Sequence, residues 1–171
     1  MGKGTAEFVA LNVAILTVSD KHTLASDTSG GWLKEAVSEA GHQVLDRAIV
    51  ADNRYRIRAV VSSWVASTDV QVVLINGGTG FNSKNSTPEA LLPLFDREIE
   101  GFGELFRMVS FEDIGTSTLQ SRAVGGIANQ TLILAVPGST SACQLAWERI
   151  VQDQLDARTR PCNFVSHVKK P

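Results

Sequence analysis

Residues 70–76 (VQVVLIN), apolar but for Gln71 and Asn76 and rich in Val, read as a strand that leads straight into Gly77, Gly78, Thr79 and Gly80. A run that is apolar throughout, instead of alternating with polar residues, has the character of a parallel strand buried on both faces. Residues 12–19, rich in Val and Ile and bounded by polar residues, have that character, and residues 44–50 supply a further strand. Between the three runs lie stretches with apolar residues at helical spacing. Trp32, Leu33, Ala36, Val37 and Ala40 follow a helix start near residues 28–30 and are closed by Gly41. Ile57, Val60, Val61, Trp64 and Val65 lie on one face of residues 53–67. Parallel strands need long crossovers, and right-handed crossovers put helices on both faces of the sheet. The expected fold is therefore α/β: a three-layer α/β/α sandwich around a mostly parallel, mixed sheet.

The second half fits that frame. Residues 88–95 and 101–109 read as two helical pieces, limited by Pro93 and by Gly101 and Gly103. Residues 123–128 and 131–136 flank Asn129 and Gln130, a hairpin spacing that inserts one antiparallel strand. The last strand ends at Pro137 and Gly138, and Ser139 can cap a helix running to about Leu155. Residues 156–171 show no clear period. With no repeat or low-complexity linker, the chain is expected to be one domain over residues 11–164, with a flexible tail at 1–10 and a short one at 165–171. Trp32, Trp64 and Trp147 are expected in the core or a subunit interface.

Hydrophobic residues at 43% and charged residues at 20% are the balance of a globular protein. No apolar stretch reaches the length of a membrane span. A net charge of −2 gives no general attraction to nucleic acid or to anionic membranes, so an anionic ligand needs a local site. Residues 1–8 lack a signal-peptide pattern, which points to the cytoplasm. Cys143 and Cys162 are too far apart for a metal or redox motif and are expected as reduced thiols.

Open α/β sheets bind ligands beyond the carboxyl ends of their strands. Ser19, Asp20, Asp27, Ser29 and Gly30 follow the first strand, and Asp52 the second. Gly77, Gly78, Thr79 and Gly80 follow the third, and Pro137, Gly138, Ser139 and Ser141 the last. Three glycines around a threonine let backbone N–H groups approach a phosphate, but the loop lacks the Gly-Lys-Ser/Thr ending of a P-loop. Ser139 and its neighbours offer a second helix start, which is either an anion site or a plain cap. Asp20, Asp27 and Asp52 either hold Mg²⁺ against phosphates or serve as caps and surface charges. Lys84 could stand near the anion.

Taken in order, the Gly77 to Gly80 loop, residues 87–90 (TPEA), 96–98 (DRE), 101–104 (GFGE), Ser121 with Arg122, and residues 137–139 (PGS) resemble the MoaB/Mog family of molybdenum-cofactor biosynthesis, to which gephyrin domains also belong. The resemblance covers residues 11–164 and is nearer to the MoaB branch in residues 90–104, 116–124 and 156–164. It implies molybdopterin recognition at the glycine loop and a homotrimer or homohexamer. In active members the molybdopterin phosphate attacks the α-phosphate of ATP with the help of Mg²⁺, giving adenylylated molybdopterin and releasing pyrophosphate. By that resemblance Asp52 is the metal-organising catalytic aspartate, and Asn85 stands where a second family aspartate is found. Asparagine brings no negative charge, which weakens Mg²⁺ binding unless Asp20 or Glu89 compensates. The expected function is a molybdopterin adenylyltransferase-like protein using ATP. The alternative is a non-catalytic molybdopterin-binding or scaffold protein that works with other enzymes of the pathway.

Overall fold

A computed structural model describes residues 5–170 of the chain. Six strands form one sheet in the order β2-β1-β3-β6-β5-β4. Strands β1 (Asn12–Val18), β2 (Gln43–Val50), β3 (Val72–Asn76) and β6 (Thr131–Val136) pair in parallel. Strand β5 (Val124–Ala128) runs against β6, the single reversed strand expected from the hairpin. Its turn residues Asn129 and Gln130 have φ of 46° and 58°, the two left-handed conformations a two-residue hairpin loop requires. Strand β4 (Arg97–Glu98) pairs antiparallel with β5 and was not anticipated.

Period-two alternation along the buried strands builds two cores, one on each side of the sheet. Val13 and Ile15 of β1 pack with Leu33 and Val37 of α1 (Thr28–Glu39). Phe102 and Phe106 of α4 (Glu100–Ile114) and Trp147 join them. Ala14, Leu16 and Val18 face the opposite side, against Ile57, Val61 and Trp64 of α2 (Arg54–Ala66) and Leu91 of α3 (Thr87–Leu91). The three-layer sandwich follows directly. Trp64 and Trp147 are buried and Trp32 is packed against the core, and the Trp64 indole N–H donates to Asp46 at 2.9 Å.

The C-terminal helix starts as α5 (Thr140–Ala146), passes through a π-helical turn at Trp147–Val151, and ends as α6 (Gln152–Gln154). Residues 1–4 of the expected N-terminal tail lie outside the described residues. The segment expected as a C-terminal tail is docked: Val168 is buried, and the Lys169 N–H donates to the Gln130 carbonyl at 2.8 Å. Among the described residues no helix is long and apolar enough to cross a membrane.

Candidate functional site

β1 leads through α1 to β2 on one side of itself, and β2 leads through α2 back to β3 on the other. The strand order therefore reverses between β1 and β3, and the loops leaving their carboxyl ends diverge to open a crevice. A cleft of about 490 Å³ lies there, floored by Thr17, Val18 and Asn76, with Gly77 to Gly80 on one wall and Pro137 and Gly138 on another. Ile114, Ser117, Gln120 and Ser121 overhang it from the end of α4 and the 3-10 turn Gly115–Gln120.

The glycine loop turns its carbonyls into the protein. Thr87 Oγ1 donates to the Gly77 carbonyl at 2.8 Å, and the Thr87 N–H donates to that of Gly78 at 3.0 Å. The Arg122 N–H donates to the Thr79 carbonyl at 3.1 Å, and its guanidinium donates to the Gly80 carbonyl at 2.7 and 3.0 Å. The Gly77 N–H is consumed by the Val136 carbonyl, whereas the N–H groups of Gly78, Thr79 and Gly80 have no partner within the described residues. Gly77 and Gly78 have φ of +97° and +69°, and a Cβ on Gly77 would lie 2.3 Å from the Val18 carbonyl oxygen. Only glycine tolerates both the conformation and the contact. The result is a row of donors without partners among the described residues, on a loop that lines a cleft whose lining contains no lysine or arginine.

Asp27 lines the cleft but is committed elsewhere. Its carboxylate caps α1 through the Gly30 N–H at 3.0 Å, accepts from Thr17 Oγ1 at 2.7 Å, and pairs with Arg47 at 3.0 Å. Burial acts to raise this carboxyl, but the bonds from Thr17, Gly30 and Arg47, with the Arg47 charge, outweigh it and hold the carboxyl below the usual aspartate range. Gly30 belongs to the same packing: a Cβ there would stand 2.2 Å from Asp27 Oδ2. Ser29 joins the two walls by donating to the Gly138 carbonyl at 2.8 Å. Ser19 lines the cleft, and its hydroxyl accepts from the N–H groups of Lys21 and His22 at 3.1 and 3.2 Å. Ser139 Oγ caps α5 at the Ala142 N–H, 3.2 Å away, and lies 3.2 Å from Ser141 Oγ. Both of these serines are exposed and stand outside the cleft lining, so at Ser139 the cap is what the structure displays.

Beyond Gly80 a second cluster surrounds Asp52. Its Oδ1 accepts from the Ser86 N–H and hydroxyl at 3.0 and 2.8 Å, and its Oδ2 from Asn85 Nδ2 at 3.0 Å. Asn85 Oδ1 in turn accepts from the Asn82 N–H at 3.1 Å. Asp20 accepts from the Asp52 N–H at 3.0 Å and pairs with Lys84 at 3.2 Å. Those two contacts, the backbone bond first, hold the Asp20 carboxyl below its ordinary value. Lys84 thus serves Asp20 and does not line the cleft. Glu89 is held by Arg122, close beneath the loop. Among the described residues no three His, Cys, Asp or Glu side chains gather as a metal site. Asp52 meets protein donors on both oxygens and Asn85 turns its amide nitrogen toward it, so these residues as arranged do not fit Mg²⁺.

Four groups escaped the sequence reading: Arg122 as the brace of the loop, Thr87 as its buried pin, Asn76 on the floor, and the overhang at 114–121. The first two lie in motifs that carried the resemblance, so their positions were visible and their roles were not.

Residues 14–157 match the MoCF_biosynth family, described as a "Probable molybdopterin binding domain". The chain is 64% identical to molybdenum cofactor biosynthesis protein B of Escherichia coli K12, over 99% of this chain and 100% of that protein. It is 44% identical to the protein of the same name from Bacillus cereus, over 82% and 84% of the two chains. A crystal structure of molybdenum cofactor biosynthesis protein B superposes with a TM-score of 0.84 at 42% identity, covering 86% of this chain and 92% of that one. The tungsten cofactor synthesizing protein MoaB of Pyrococcus furiosus gives 0.75 at 31% identity, covering 82% and 90%. With a crevice at its topological switch point and a relative matched over nearly its whole length, the chain belongs to the MoaB family of molybdenum cofactor biosynthesis proteins.

Proposed function

We propose that this protein binds molybdopterin in the cleft at the carboxyl ends of β1 and β3, with the terminal phosphate over the N–H groups of Gly78, Thr79 and Gly80. The observation that carries this reading is the arrangement of the loop: four carbonyls held by protein donors, and three N–H groups without a partner among the described residues, on residues that line the cleft. Oriented amides of this kind hold an anion without a charged side chain. The family description as a molybdopterin binding domain supports the same ligand.

Adenylyl transfer from ATP is the second reading. A Mg²⁺ ion for that reaction would need Asp52 released from Ser86 and Asn85, and the present arrangement does not offer it. The Asn85 to Asp52 hydrogen bond favours binding without transfer, because it satisfies the carboxylate with a neutral donor in place of a cation. Self-association as a trimer or hexamer belongs to the same proposal, and the exposed Met108, Phe111, Ile114 and Leu119 on and after α4 supply an apolar surface for it.

The test is anaerobic calorimetry with molybdopterin and with its dephosphorylated form. Loss of the phosphate is expected to weaken binding at least about tenfold, in line with charge-assisted bonds to several amides. Equal affinities would refute the placement. A parallel incubation with ATP and Mg²⁺ reads out adenylylated product: little is expected from the native chain and more from Asn85→Asp. Rapid turnover by the native chain would overturn the preference for binding alone.

A further inference from the structure

The cleft holds two buried polar atoms that no group in the described residues satisfies. Asn76 is 1% exposed and its Oδ1 has no hydrogen-bond partner; Ser121 is 8% exposed and its Oγ has none. Both residues line the same cleft, from the β3 floor and from the overhang.

The chemistry of the Asn76 atom is fixed by a chain of bonds behind it. Arg47 donates to the Asp27 carboxylate, and the Thr17 hydroxyl spends its only proton on the same carboxylate at 2.7 Å. The Thr17 oxygen can then only accept, so the amide group of Asn76 that faces it at 2.9 Å is the nitrogen. What remains is the carbonyl oxygen, an acceptor with no donor of its own. A phosphate oxygen is an acceptor too and is repelled there, so the anion belongs on the amides of Gly78 to Gly80 and something else belongs on the floor. A metal ion is poorly served by one neutral oxygen when the nearby Asp27 carboxylate is already engaged. The complement is an N–H donor. An aromatic amino group carries two, one for Asn76 Oδ1 and one for Ser121 Oγ, which line the same cleft.

We infer that Asn76 and Ser121 are specificity-determining residues that read the exocyclic amino group of a phosphorylated, amino-substituted heterocycle, ring in the floor and phosphate on the glycine loop. This rests on the anion placement proposed above and adds the orientation and the ring chemistry. Two ligands share that chemistry, an aminopterin ring and adenine, and the probes below separate them. A site built to pair with a donor rejects the analogue that lacks it, because the buried acceptors are left without a partner.

The experiment measures dissociation constants for 6-hydroxymethylpterin phosphate against its 2-deamino analogue, and for AMP against purine riboside monophosphate. The native chain is expected to prefer one aminated probe over its partner by about tenfold or more, and the pair that is discriminated names the ring. Asn76→Leu is expected to reduce that ratio to within about threefold. Ser121→Ala removes only an unpartnered hydroxyl, so it keeps the native melting point while lowering the ratio by a smaller factor. Equal affinities within both pairs in the native chain would overturn this inference and leave the anion site standing. An unchanged ratio in both variants would overturn it as well. No binding of any of the four probes would remove the anion placement itself, and this inference with it.

Discussion

The side chain on which the loop depends most is Thr87, and its replacement by valine isolates one bond. Thr87 is fully buried, and its hydroxyl donates to the Gly77 carbonyl at 2.8 Å. Valine keeps the shape, so no cavity forms, but it leaves that carbonyl without its side-chain donor. Losing a buried hydrogen bond while stranding the acceptor costs about 1–3 kcal/mol. For a chain of this length each kcal/mol lowers the melting temperature by roughly 2–4 °C, giving an expected fall of about 2–12 °C. Thr87→Ser provides the control: it keeps the hydroxyl and loses one methyl group, about 0.8 kcal/mol. Thermal unfolding at matched protein concentration should rank native above Thr87→Ser above Thr87→Val. The concentration is matched because self-association shifts the midpoint by mass action. Anion affinity should follow the same order, since an unpinned Gly77 carbonyl lets the loop rotate its amides out of line. If Thr87→Val proved as stable as Thr87→Ser, the hydroxyl would not be what holds the loop, and the account of the free amides would fail with it.

Asn85→Asp sets two carboxylates about 3.0 Å apart in place of a hydrogen bond; a loss of about 1–3 kcal/mol is expected at neutral pH, partly restored by millimolar Mg²⁺, whereas the native melting point should ignore Mg²⁺. Gly30→Ala drives a Cβ into Asp27 Oδ2 and should cost about 2–4 kcal/mol through loss of the cap and the buried bonds, measured by urea unfolding. The Asp27 carboxyl is lowered on folding, so its stabilisation is complete above its unfolded value and is lost as pH falls through the folded one; urea midpoints below about pH 4 should fall steeply in the native chain and less steeply in Asp27→Asn. Burial pushes the Cys143 thiol up to about 12, while Cys162 is exposed; a thiol reagent at pH 8 should label Cys162 alone until denaturant is added.

What the sequence disclosed and what it hid divide along local and non-local lines. β1, β3, α1 and α2 were legible because each carries its own burial pattern: all five residues of β3 are buried, and Ile57, Val61 and Trp64 mark the inner face of α2. β4 could not be read, since Arg97 and Glu98 are both exposed and form a strand only because β5 offers Ile127 and Gly126 as partners. The helix expected over 101–109 runs on to Ile114, and the turn after it folds back over the cleft. At the site, the glycine loop announced itself by composition. Asp27 was legible only as an alternative, metal carboxylate or helix cap; it caps α1, and Thr17 and Arg47, brought by the neighbouring strands, complete its structural role. Asn76 read as the last residue of a strand, and its orphaned oxygen appears only once Thr17 is seen to have no proton left.

The anion site proposed for this chain of net charge −2 needs an electrostatic cause, and the side chains lining the cleft do not supply it. The nearby cations are already neutralised by Asp27 at Arg47, by Asp20 at Lys84 and by Glu89 at Arg122. Arg122 and Asp52 instead act on the backbone. Arg122 draws the Gly80 and Asn85 carbonyls toward itself at 2.7 and 3.1 Å, and Asp52 grips Ser86 just before Thr87, the residue that pins Gly77 and Gly78. A peptide whose carbonyl is fixed on one side presents the next N–H on the other, so Arg122 and Asp52, neither of which lines the cleft, would orient backbone dipoles at its edge. Affinity built this way depends on the orientation of a few peptides and not on exposed charge, and is screened little by salt. It also explains why a single buried threonine and a braced arginine, both remote from any ionic contact with the ligand, should govern binding more than the exposed lysine beside the loop.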